Sequence, residues 1–196
     1  MALAKFNFNA KGFSLMEVIV SMGLLTTVSL GVAQLFAVST NANRTARNQT
    51  STIAMAEQKM EQIRSLTWGF DLQGLGLPLT DTTTNLSNYP HTADGNGLDP
   101  SPSDSLLTNR PGYVDYLDYA GAWIGTGETA PEGTAFVRRW AIRPLPTNPN
   151  NTLVIQVLVS PASNENHRAD GGNANGLRSR MPGDSLLTSV KTRKAS

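Results

Sequence analysis

KGFSLMEVIVSMGLLTTVSLGVAQLFAV, residues 11–38, carries no charged side chain from Val18 to Val38, yet Glu17 stands at its front edge. The apolar run from Phe13 to Val38 is about 26 residues, enough to cross ~30 Å of hydrocarbon as a helix. Ser21, Gly23, Thr26, Thr27, Ser29, Gly31 and Ala33 are small and allow close helix–helix approach. A cleaved secretory signal fits less well, because the run exceeds the usual ~7–15 residues and no clean A-x-A site follows. A plain single-pass anchor gains nothing from Glu17, since an ionised carboxylate in lipid costs a few kcal/mol. Within the run no cation can pair with it: Lys11 lies before and Arg44 far beyond. Its partner is expected from another chain, or from a new amino terminus made by cleavage.

Lys11-Gly12-Phe13-Ser14-Leu15-Met16-Glu17 followed by an apolar helix resembles the class III signal of type IV pilins and type II secretion pseudopilins. The resemblance is specific over residues 5–68 and rests on pattern alone beyond them. It implies cleavage by prepilin peptidase between Gly12 and Phe13, methylation of the exposed Phe13 amine, and pairing of Glu17 with the terminal amine of a neighbouring subunit. It also implies a cytoplasmic leader, Met1 to Gly12, whose loss takes Lys5 and Lys11 and changes the formal charge from +1 to −1. The positive-inside count does not set this orientation, because Arg44, Arg47 and Lys59 follow the span closely. Many major pilins carry a proline midway along the membrane helix. Here Gln34 takes that place, which leans towards a minor pilin or pseudopilin. AEQKMEQIRSLTWGF at 56–70 and FVRRWAI at 136–142 look most like minor pilins of the pilus-modification type.

The polar continuation has no strong breaker before Gly69, which is the expected C-terminal stop. Ile53, Ala56, Met60 and Ile63 mark one helical stripe, and Glu61 can pair with Arg64. A helix from Ser14 to Trp68 would be roughly 80 Å long, too long for a compact domain unless its first half packs in a membrane or filament. Residues 69–112, rich in Gly, Pro, Asn and Thr, read as a connecting loop. A short strand is expected within 113–119. Phe136, Trp140 and Ile142 alternate against Val137, Arg139 and Ala141, and Arg138 on the apolar side predicts an open edge there. Leu153, Ile155, Val157 and Val159 form the clearest strand, and Leu186, Thr188 and Val190 a last one, separated by a loop at 161–184.

The expected fold is α+β and pilin-like: a long N-terminal helix, membrane-spanning in its first half, on a C-terminal antiparallel sheet of about three or four strands. The expected divisions are a leader at 1–12, a transmembrane or filament-core helix at 13–39, an amphipathic continuation at 40–68, a loop at 69–112 and a β head at 113–196.

With 16 basic and 15 acidic side chains the 196-residue chain is not a dedicated nucleic-acid binder by charge. It has no cysteine, hence no disulfide and no thiol nucleophile. His91 and His167 sit in expected loops without ligand-spaced partners. Asp94-Gly-Asn-Gly-Leu-Asp99 has the alternating oxygens of a calcium loop but fails the EF-hand spacing and lacks its distal glutamate. No nucleophile elbow or phosphate-binding loop appears, so no catalytic residue, metal site or cofactor is expected. The basic tail, Lys191, Arg193 and Lys194, reads as a solvated end, with contact to DNA or anionic lipid as the alternative.

The leading reading is a non-enzymatic structural subunit, a minor pilin or pseudopilin. Its implied partners are prepilin peptidase, other pilins through the N-terminal helix, an inner-membrane assembly platform, and lipid before assembly. Its implied place is the bacterial inner membrane, with the head outside the cytoplasm, and then the filament. The alternative is a membrane-anchored binding module that never polymerises, which has no need of Glu17 or the Gly12–Phe13 junction.

Overall fold

The computed structural model describes residues 12–70, 78–165 and 180–193. The expected leader up to Lys11, together with His167 and Lys194, lies outside the described residues, as do parts of the expected loops at 71–77 and 166–179. The chain divides into two compact units between Arg44 and Thr45. One helix, α1 (Leu15–Ser65), contributes to both.

In the first unit, α1 starts where Ser14 accepts the Met16 N–H on its hydroxyl at 3.3 Å and the Glu17 N–H on its carbonyl at 3.0 Å. The apolar side chains are exposed on every side, among them Leu15, Leu25, Leu35 and Phe36. Hydroxyls of Ser21, Thr26 and Thr27 turn back onto carbonyls of the helix. Ser21 donates to the Glu17 carbonyl at 2.6 Å and Thr27 to the Gly23 carbonyl at 2.9 Å. Backbone bonding within the helix and hydroxyls turned back onto carbonyls make this segment compatible with hydrocarbon despite its Ser and Thr content.

In the second unit, the rest of α1 lies on an antiparallel sheet. Its buried stripe is Thr52, Met55, Ala56, Lys59, Met60 and Ile63. Ala56, Met60 and Ile63 belong to it as expected. Ile53 does not: it is 37% exposed, and Thr52 and Lys59 take the inward positions. The helix stops at Ser65 rather than at Gly69. Lys191 donates to the carbonyls of Arg64 and Leu66, the latter at 2.6 Å, satisfying the C-terminal acceptors with a cation where the helix dipole favours one. Trp68, expected inside the helix, instead opens β1 (Trp68–Phe70), which pairs antiparallel with β2 (Pro78–Thr80). Residues 81–113 then run mostly as turns, with one bridge between Asn85 and Thr92.

The main sheet comprises β3 (Val114–Leu117), β4 (Trp123–Thr126), β5 (Phe136–Pro144), β6 (Thr152–Pro161) and β7 (Ser185–Thr192), ordered β4-β3-β5-β6-β7. The α+β, pilin-like arrangement is the expected one, with a five-stranded sheet. The strand not foreseen is β4, whose WIGT sequence is too short to show a period. On the helix side, Trp140 opposes Val157 and Ile142 opposes Ile155, and all four are fully buried. Leu187 opposes Val157 from β7 and packs on this core, whereas Val190 is 55% exposed. The inward face of β7 is therefore the Ser185, Leu187, Ser189 side, opposite to the expected Leu186, Thr188, Val190 side. The far side of the sheet is also covered. Val114, Tyr116 and Val137 form a second small core, and buried Arg139 reaches Asn109 at 2.9 Å and Glu165 at 2.8 Å.

Candidate functional site

Gly12 and Phe13 precede the helix in non-helical backbone, with Phe13 83% exposed. Nothing lies within 4 Å of the position a Gly12 Cβ would take, so the glycine is not required by packing among the described residues. Glu17 is in the first turn of α1 and exposed. Among the described residues its carboxylate has no hydrogen-bond or ion-pair partner. Ser14-x-x-Glu17 also has the spacing of a capping box, a pattern legible in the sequence, and a carboxylate in the first turn suits the helix dipole. Gln at the same position would serve the cap equally well, which separates that role from charge pairing.

A second cluster lies at the seam between α1 and the sheet, inside the second unit. Asp115 of β3 opposes Arg138 of β5 in register. Its carboxylate accepts Arg138 Nε on Oδ1 and Nη2 on Oδ2, both at 2.8 Å, and Lys59 Nζ on Oδ2 at 2.8 Å. Lys59 also donates to the Leu86 carbonyl at 2.7 Å, and its ammonium sits 4.5 Å from the centroid of the Trp140 ring. Arg138 Nη1 reaches back to the Met55 carbonyl at 3.1 Å and Gln58 Oε1 at 3.3 Å. Side-chain exposure of the three charges is 1% for Lys59, 1% for Asp115 and 4% for Arg138. Burial pushes the Lys59 ammonium down to about 8, against the opposing pull of Asp115.

The expected open edge at Arg138 is thus absent: the guanidinium is buried because a carboxylate from the neighbouring strand meets it. Sequence reading missed Lys59 and Asp115 altogether. Asp115 lies in the short strand expected within 113–119 but had no role assigned, and Lys59 carried weight only as a charge near the span.

The remaining sequence candidates resolve into ordinary contacts. His91 Nδ1–H donates to the Asn88 carbonyl at 2.9 Å, and its ring meets Tyr89 edge-on. In the Asp94–Asp99 loop, backbone N–H groups of Gly95 and Gly97 bond the carbonyls of Thr83 and Thr84. A Cβ on Gly95 would fall 2.1 Å from Asn85 Cα, so the glycine is set by close backbone approach. Among the described residues, no three His, Asp or Glu side chains are grouped to hold a metal ion. Of the basic tail, the two described residues are not simply solvated: Lys191 caps α1, and Arg193 lies 5.1 Å over the Trp68 ring.

A family model for the prokaryotic N-terminal methylation motif matches residues 7–33. The chain therefore carries the prepilin signal of type IV pilins and pseudopilins, the mark of a pilin-like protein processed by prepilin peptidase, and that motif belongs to a structural class of proteins. The signal and the apolar helix behind it fit anchoring in the inner membrane. Among curated proteins and solved structures, none matches the chain.

Proposed function

We propose that this chain is a minor pilin or pseudopilin, cut between Gly12 and Phe13, methylated at Phe13, and assembled into a type IV pilus-like filament through residues 13–39. The observation that carries the reading is the exposed Gly12–Phe13 junction placed one helical turn before Glu17, at the head of a helix with apolar side chains exposed on every side. Such a surface is stable only in lipid or against other helices. Before assembly the helix holds the protein in the inner membrane with the β head outside the cytoplasm. Lipid, prepilin peptidase, an assembly platform and other pilins are its successive partners. DNA is not among them in this reading, because the two described basic residues of the tail are engaged within the head.

Mass spectrometry of the protein from native membranes tests the processing step. The expected amino terminus is a methylated Phe13, and Gly12→Val should leave the leader uncut. A native chain beginning at Met1 in cells with active peptidase would overturn the proposal.

A further inference from the structure

Lys59, Asp115 and Arg138, at the α1–sheet seam, are among the residues lining a cavity of about 300 Å³, with their side chains 1–4% exposed. Lys59 and Arg138 bring two positive charges against the single negative charge of Asp115, leaving one in excess. A net charge kept out of water is costly unless a counter-charge meets it. Among the described residues no further carboxylate lines this space. Donors remain for a counter-charge. Arg138 uses four of its five N–H groups, on Asp115, Met55 and Gln58, and one on Nη2 is left over. Half-buried Gln62 lends the wall an amide whose buried oxygen has no partner, and a half-turn of that amide offers an N–H₂ instead. Exposed Tyr89 and His91 stand at the mouth, and Trp123, held by its indole N–H on the Ser87 carbonyl at 2.7 Å, forms a flat apolar side. The volume corresponds to roughly ten water molecules. It holds a small organic acid rather than a secondary-structure element.

We propose that this cavity is a binding site for a small carboxylate, whose negative charge completes the Lys59–Asp115–Arg138 cluster. The site is separate from the processing signal and does not depend on the pilin reading. It couples binding to the charge on Lys59: the anion favours the ammonium, and loss of that proton removes the excess charge that attracts it. The charged and titratable groups facing Lys59 are Asp115 from β3, Arg138 from β5, and Tyr89 and His91 from the loop.

The test uses the full chain in detergent micelles with methyl-labelled leucine, observing Leu117 on the cavity wall. Sodium acetate is titrated at constant ionic strength, with acetamide as the neutral isostere. The expected result is a saturable Leu117 shift with acetate and none with acetamide. Affinity should be roughly tenfold weaker at pH 9 than at pH 7, since Lys59 goes from mostly protonated to about one part in ten. Lys59→Met should abolish the shift, and His91→Asn should leave the pH dependence in place. If Lys59→Met does not fold, the pH dependence in the native chain and in His91→Asn decides. No saturable shift, equal shifts with acetamide, or an affinity unchanged between pH 7 and 9 would each overturn the site.

Discussion

Lys59 shows how far a single residue can depart from its reading in the sequence. In the chain it is one lysine on the polar continuation of a helix. In the fold it is 1% exposed, bonded to Asp115 and the Leu86 carbonyl. The sign of its effect on stability follows from its lowered value of about 8, against 10.5 when unfolded. Below pH 8 both states hold the proton, and the cost of the buried ammonium is fully present. Between pH 8 and 10 the folded state releases it first, so stability rises with pH, by roughly 2 kcal/mol over that span. Burial raises the Tyr113 and Tyr116 phenols, and their opposing contribution sets in only above about pH 10. Thermal unfolding of the full chain in detergent, followed by circular dichroism from pH 7 to 10, should show the rise in the native protein and a flat profile in Lys59→Met. A rise of equal size in the variant would assign it to another group.

At the scale of elements, α1 is held on the sheet at three heights. Thr52 donates to the Gly183 carbonyl at 2.9 Å and shares a 2.8 Å bond with Ser185, the Lys59–Asp115–Arg138 cluster lies in the middle, and Lys191 closes the C-terminal end. Between these polar ties packs Trp140, fully buried, its ring 6.5 Å from that of Tyr113. Trp140→Ala should lower stability by ~3–5 kcal/mol, the range for truncating a large buried aromatic, and should also strip the Lys59 ammonium of its ring face. Unchanged chemical denaturation would mean that the cavity collapses at no cost. Lys191→Met should cost less, about 1–2 kcal/mol, because it frees two helix-end carbonyls that water can partly reach. Hydrogen exchange should report the loss at Arg64 to Trp68 first. Faster exchange spread evenly over the head would argue against a local cap.

For the whole molecule, Glu17 links processing to assembly under the proposed function. An unpaired carboxylate in hydrocarbon is a penalty, whereas one beside a positive amine in low dielectric is favourable. The Phe13 amine exists only once the leader is gone. Glu17→Gln keeps the shape of the side chain and removes the charge. It should still be cut after Gly12 and still reach the membrane, but enter filaments several-fold less well than the native subunit. The measurement is the ratio of the two in sheared filaments at matched membrane levels. Equal incorporation would leave Glu17 as a processing signal or an inert feature.

The helix from residue 15, its change of character beyond Val38 and the alternation of Leu153 to Val159 were all legible in the sequence. They depend on spacing between near neighbours and on the absence of charge, which are local properties. The same is true of the methylation motif over residues 7–33, whose pattern is contiguous. What tertiary structure alone decided is where partners come from. Arg138 is buried because Asp115 stands opposite it on the next strand, Leu187 faces inward because β7 pairs in one register with β6, and α1 ends at Ser65 because Lys191 returns from the far end of the chain. A one-residue change of register turns every side chain of a strand to the other face, and a buried charge is tolerated only beside its counter-charge. Both conditions join residues distant along the chain, so they were settled only when the sheet closed on the helix.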